Sequence, residues 1–256
     1  MVKKDFSKGF SKDEAVVVEE LSQSINFSTT HNFSTNFLTE FEQKILQKLV
    51  NHNYGDFSIE FFGGYQDAER KKAKLIINPY YDIEYEIICL KATYNSKFNE
   101  LKHKDVLGAV HNLGLNYNRI GDIFIEGENI YIFVDRSIAQ YIKFNLEKIG
   151  RINLQFEEIN LETLNIVKKY ESFAIVSSSF RLDSIVAKIT NKSRSKVKEM
   201  LEQGFIKLNH VVVVEGEKNC SLEDMISIRR YGRYTLKNVS QNKKSLKYRI
   251  TIDKLI

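Results

Sequence analysis

Six short apolar patterns follow one another between Tyr81 and Ile159, and their order leaves few architectures open. EYEIICLKATY has the composition of a strand. In LKHKDVLGAVHNLGL, Val106, Leu107, Val110 and Leu113 fall at helical spacing, with Gly114 as a stop. GDIFIEGENIYIFVD reads as two short strands around Glu126-Gly127-Glu128, a hairpin signal. RSIAQYIKFNLEKIG is helical through Ile138, Tyr141, Ile142 and Leu146 and is stopped by Gly150, and INLQFEEI alternates as a half-buried strand does. The order β-α-β-β-α-β predicts an RRM/ferredoxin-like plait, two helices over one face of a four-stranded sheet. Ile130, Ile132 and Val134 would face the helices, leaving Tyr131 and Phe133 on the open side, where aromatics can stack on unpaired bases. The glycine-aromatic signature of such stacking is absent, so packing against a neighbouring domain is the expectation for this face.

Upstream, residues 1–33 form a polar lead-in with a helix near Asp13–Ser22. TEFEQKILQKLVNH is clearer: Thr39 and Glu42 make a capping box, and Phe41, Ile45, Leu46, Leu49 and Val50 share one face. FSIEFFGGYQDAERKKAKLIINP predicts a strand, a Gly63-Gly64 turn and a second run ending at Pro79, the only proline. Arg70, Lys71, Lys72 and Lys74 make that second run basic. The expected organisation is α+β: an N-terminal α/β subdomain (1–78), the plait (79–160), a linker (161–180) and a C-terminal domain (181–256).

Charge divides the chain unevenly. From Arg181 onward there are 17 Lys+Arg against 8 Asp+Glu, a balance of +9, which leaves 21 against 25, or −4, for the remainder. A basic third on a mildly acidic body is what a polyanion-binding module on a carrier looks like, whereas a generally lysine-rich surface would spread the charge. No window reaches the ~18 uncharged apolar residues of a membrane span, and MVKKDFSKGF lacks the apolar stretch of a secretion signal. Cys89 and Cys220 stand far apart without ligand spacing, which predicts two buried thiols and a reducing cytoplasm. The five histidines are equally scattered, so neither a metal nor another cofactor is expected. A cytoplasmic monomer with no membrane contact is the expectation.

The basic third begins RLDSIVAKITNKSRSKVKEMLEQGFIKLN. Leu182, Ile185, Val186 and Ile189 form one helical stripe, with Arg181, Lys188 and Lys192 on its flank. Ser193 caps a second helix whose Val197, Met200 and Leu201 face inward. Arg194 and Lys198 share a face, Lys196 lies on the opposite edge, and Gly204 ends the helix. FIKLN follows as a strand, and DMISIRRYGRYTL supplies another that runs into Arg229, Arg230 and Arg233. Cations beside a helix N-terminus suit a phosphate, and so an RNA backbone more than base edges.

RLD, SRSKVKEMLEQGFIKLN and DMISI resemble the RNA-binding module named for ribosomal small-subunit protein S-four, over residues 181–230. FFGGYQDAERKKA, HKDVLGAVHNLGL and IGDIFIEGENIYIFV further resemble the YlmH family, bacterial cytoplasmic proteins with this module behind a plait. The resemblance implies binding to ribosomal RNA and tRNA on the large ribosomal subunit, in rescue of stalled subunits that still hold peptidyl-tRNA. It carries RNA contacts to Arg181, Ser193, Arg194, Lys196, Lys207, Asn209 and Arg233, and the helix face adds Lys198. Arg230 departs from the small residue expected before YGR.

The same module occurs in RNA-modifying enzymes of pseudouridine synthase and methyltransferase type, the alternative reading, whose active site would lie in residues 36–160. Synthases place a catalytic Asp in an RLD context, but here a Ser run and Phe180 precede Arg181, and Asp183 in a first helical turn has a sufficient role with the helix dipole. Gly63-Gly64 is too slight for a methyltransferase nucleotide loop, SRSKV does not serve as a synthetase loop, and HKD at His103–Asp105 reads as a helix N-terminus. No catalytic residue is expected.

Overall fold

The computed structural model describes residues 12–26, 31–53, 57–96, 100–164, 166, 169–241 and 246–255. Two units emerge, Met1–Ile166 and Val167–Ile256, in an α+β fold.

In the first unit, α1 (Lys12–Asn26) contains the expected helix and lays Val18, Leu21 and Ile25 against the stripe of α2. After the two-residue β1 (Phe33–Ser34) comes α2 (Glu40–Asn53). Its capping box forms as the sequence predicts: the Thr39 amide and hydroxyl donate to Glu42 Oε2 (2.6 and 2.8 Å), and the Glu42 amide donates to Thr39 Oγ1 (3.3 Å). β2 (Ser58–Phe62) and β3 (Lys72–Ile76) complete a three-stranded antiparallel sheet, order β1-β3-β2. The basic run is not a surface. Lys72 is 3% exposed and donates to Asp135 Oδ2 (2.5 Å) and the Tyr85 carbonyl (2.9 Å). Lys74 is also buried and pairs with Asp82 (3.0 Å), while Arg70 donates to the Ile120 carbonyl and lies over the Tyr117 ring.

The plait follows: β4 (Ile87–Thr93), α3 (His103–His111), β5 (Ile120–Glu126), β6 (Asn129–Asp135), α4 (Arg136–Asn145), the small hairpin β7 (Lys148–Ile149) and β8 (Ile152–Asn153), and β9 (Glu157–Ile159). Its sheet is antiparallel with order β5-β6-β4-β9. Ile130, Ile132 and Val134 pack with Val106, Val110, Ile138 and Ile142 of the helices, as alternation requires. Two readings need correction. Gly150 (φ 59) turns the β7–β8 hairpin, because α4 already ends at Leu146, whose side chain enters the core. INLQFEEI is two strand pieces, since Ile152–Asn153 fold back on β7 and only Glu157–Ile159 pair with β4.

The other face of the sheet is covered. Phe133 and Cys89 are wholly buried, in a cluster with Phe37, Tyr65 and Ala68. A Cβ on Gly64 (φ 102) would lie 2.4 Å from Phe133 Cδ1, and one on Gly121 would lie 2.7 Å from Phe37 Cε1, so glycine lets the layers meet. Asp122 accepts from Tyr65 Oη (2.7 Å) and the amides of Glu69 and Arg70. Packing is therefore continuous across residue 78, because Phe37, Tyr65 and Ala68 share this core with Cys89 and Phe133 of the plait.

In the second unit β10 (Tyr170–Ser177) precedes α5 (Leu182–Thr190) and α6 (Arg194–Glu202), followed by β11 (Ile206–Leu208), β12 (Val211–Val212), β13 (Met225–Ile228), β14 (Gly232–Gln241) and β15 (Tyr248–Leu255). The sheet order is β10-β15-β14-β13-β11-β12, antiparallel throughout. Leu182, Ile185, Val186, Val197, Met200 and Leu201 of the helices pack with inward residues of the strands, Ile206, Ile226, Ile228, Leu236, Ile250 and Ile252 among them. Residues 161–180 are more than a linker. β10 pairs with β15 over eight residues, from Tyr170↔Leu255 to Ser177↔Tyr248, while Leu161, Leu164 and Ile166 pack on the plait cluster. Both cysteines are free and buried, and burial raises each thiol to about 12.

Candidate nucleic-acid interface

The second unit gathers its cations where two helices begin. Ser193 is the N-cap of α6, its Oγ accepting from the Lys196 amide (3.3 Å). The amides of the first turn have no acceptor within the helix and give that end partial positive charge. Gly204 (φ 67) closes the helix, with the Phe205 amide reaching Met200 and the Gly204 amide reaching Leu201. α5 ends instead on Asn191 in the left-handed region (φ 53), and the chain turns there into the cap of α6.

Between the end of β10, the side of α5 and the start of α6 lies an open cleft of about 330 Å³, lined by Ser177, Ser178, Ser184, Ala187 and Ser193 and by Lys188, Lys192 and Arg194. Lys188 and Lys192 are exposed and make no ion pair among the described residues. The flanking lysines of α5 thus belong to the site, together with three serines that sequence patterning gave no reason to choose.

Beside the cleft, Asp183 ties the two helix starts together. Its carboxylate accepts from Arg181 Nε (3.2 Å) and Nη2 (2.9 Å), from Arg194 Nη2 (2.5 Å) and from Ser184 Oγ (3.2 Å). Burial alone would raise its pKa, but the two guanidinium groups outweigh burial and hold it at about 2. Arg181 also donates to Glu217 (3.0 Å), whose side chain is 80% exposed. Asp183 is thus more than a residue placed for the helix dipole.

The other expected contacts scatter. Lys196 pairs with Glu199 one turn along α6. Lys198 is exposed on the same helix without an ion pair among the described residues. Lys207 and Arg233 lie opposite the same residue, Ser227, on β11 and β14, and alternate with the buried Ile206, Leu208 and Tyr234. They therefore project from the sheet face that the helices do not cover. Asn209 (φ 50) donates to Asp224 Oδ1 (2.7 Å) and accepts from the Met225 amide (2.9 Å), so its side chain is engaged in holding the turn after β11. Arg230 adopts φ 72 between β13 and β14, the conformation that makes a small residue the usual occupant of such a turn.

Comparison with known proteins bears on both units. A family model described as "Putative RNA-binding domain in YlmH" matches residues 81–163, the span of the plait. The "Ribosome-associated protein quality control protein P2" of Bacillus subtilis (strain 168) is 30% identical over 257 residues, covering 98% of each chain. The chain belongs to the YlmH family. A solved YlmH structure, "Cell division protein ylmH from Streptococcus pneumoniae", is 27% identical with a TM-score of 0.51, covering 61% of this chain and 97% of that one. YlmH membership agrees with the resemblance read from FFGGYQDAERKKA, HKDVLGAVHNLGL and IGDIFIEGENIYIFV. No helix among the described residues is long and apolar enough to cross a membrane, and no cluster among them could hold a metal ion.

Proposed function

We propose that this YlmH protein is a non-enzymatic, cytoplasmic RNA-binding factor of the ribosome. It grips phosphates of structured ribosomal RNA and tRNA on the large subunit and serves the rescue or quality control of stalled subunits. The observation that carries the reading is the cleft at the capped start of α6, where Lys188, Lys192 and Arg194 stand beside Ser177, Ser178, Ser184 and Ser193. Such a site offers a phosphate both charge and fixed donors. The name of the Bacillus subtilis relative points to the same ribosomal setting. The enzymatic alternative places its active site in residues 36–160; in the second unit, two guanidinium groups occupy the Asp183 carboxylate, which leaves this acid no part in that alternative.

The plait adds a second contact, to RNA or to ribosomal protein. Its strand face is closed by Phe37 and Tyr65, whereas Tyr141 and Phe144 stand exposed on α4, so the contact uses the helix side. The test of the whole reading is a salt titration of tRNA binding. With several phosphate contacts, log affinity falls against log salt with a slope of about −0.7 to −0.9 per contact. Replacing Lys188, Lys192 and Arg194 together by Ala should reduce that slope by about 2 to 3. A slope near zero in the native protein would refute the phosphate site.

A further inference from the structure

An acid in the middle of a site for phosphates calls for an explanation, and the geometry around Asp183 supplies one. The backbone of Asp183 is held in place. Its residue is buried, its amide donates to the Gly216 carbonyl (2.9 Å), and a Cβ on Gly216 would lie 2.9 Å from Asp183 Cβ. The loop through Gly216 is itself held, because the amides of Leu182 and Cys220 donate to the carbonyls of Lys218 and Phe180. From this fixed point the carboxylate reaches Arg181 before α5 and Arg194 at the start of α6, two residues from separate helices. Arg194 gives it one nitrogen only and remains 57% exposed, so most of its planar fork is still available. Glu217, by contrast, touches Arg181 from an exposed loop position.

Resting on the phosphate reading above, we propose that Asp183 is a positioning residue that presets the Arg181 and Arg194 guanidinium groups for neighbouring RNA phosphates, and that Glu217 is a displaceable stand-in for one of those phosphates. Holding long side chains in one geometry before the ligand arrives removes part of the ordering cost of binding. The two acids therefore act in opposite directions, although each carries one negative charge beside the same arginine.

That opposition is the test. Labelled unfractionated tRNA is titrated at one fixed ionic strength with the full-length protein and its variants, below the onset of unfolding of each. Asp183→Asn makes the site more positive by one charge, which alone would tighten binding; positioning predicts instead about tenfold weaker binding and a shallower salt slope. Glu217→Gln makes the same charge change and should tighten binding about two- to threefold. Gly216→Ala leaves the charge unchanged but crowds Asp183, and should weaken binding several-fold; it decides the matter if Asp183→Asn does not fold. Binding by Asp183→Asn as tight as native or tighter overturns the positioning role. A weakening by Glu217→Gln overturns the stand-in role. If Arg194→Ala also binds as tightly as the native protein, the phosphate site itself is wrong.

Discussion

Removing β10 from the second unit should cripple it, although the sequence alone would begin that module after this strand. A fragment starting at Ser179 keeps every cation of the site but loses the partner of β15 along eight residues. It also loses Ile175, buried in the core, and Phe173, whose ring meets Tyr234 edge-on at 6.2 Å and 90°. Burial of Ile175 contributes about 2 kcal/mol, and the aromatic pair roughly 0.5–1 kcal/mol beyond its area. The net gain of the ladder hydrogen bonds, about 0.5–1.5 kcal/mol each, is largely offset by the ~1–2 kcal/mol cost of fixing each strand residue. The loss is then about 3 kcal/mol, a large share of the roughly 5–15 kcal/mol that holds a typical domain. For a unit of this size it lowers the midpoint of thermal unfolding by about 12–24 °C. Circular dichroism melts of fragments 169–256 and 179–256, each followed by tRNA titration at 10 °C or so below its midpoint, measure both quantities. Equal melting midpoints for the two fragments would show that β10 is an accessory to the module and that the packing argument is wrong.

Acid should weaken the second unit through Asp183. Its folded pKa of about 2 lies below the ordinary 3.8, so the unfolded chain binds more protons and stability rises with pH in that window. The native protein should therefore lose up to about 2 kcal/mol as pH falls from about 4 to about 2, while Asp183→Asn shows a flatter profile in denaturant melts; parallel profiles would sink the assignment. In the first unit, Gly64→Ala must both adopt φ 102 and displace the wholly buried Phe133 ring. A loss of about 2–4 kcal/mol in urea unfolding is expected, and a change within about 0.5 kcal/mol would mean the two layers are not tightly joined.

What could be read from the sequence was what local spacing encodes. Ser193, the inward Val197, Met200 and Leu201, and Gly204 define α6 within a dozen residues, and the structure follows them. The order of the plait was legible for the same reason, and so was the covering of the face that carries the wholly buried Phe133 and the half-buried Tyr131. Long-range partners left weaker traces. β10 has only Ile175 and Ser177 buried, so its alternation is faint, and its partner lies more than seventy positions downstream. Lys72 looks like any surface lysine until Asp135, supplied by the end of β6, is seen against it. Asp183 was visible as the third letter of RLD, yet nothing within its own helix says that Arg194 will come to meet it. Asn209 shows the converse: the motif marks its position, and its hydrogen bonds show what it does for the fold.

The pairing of β10 with β15 also sets an order on the birth of the molecule. Ser177 can find Tyr248 only after the intervening seventy residues have been made, which at about 5–20 residues per second takes roughly 4–14 s. During that interval β10 has α5 to pack against but no neighbour along the edge that β15 later takes. Two alternatives exist for such a segment, a chaperone or another nascent chain. A protein proposed to attend stalled ribosomes thus depends, for its own RNA-binding unit, on an elongating ribosome that does not stop early.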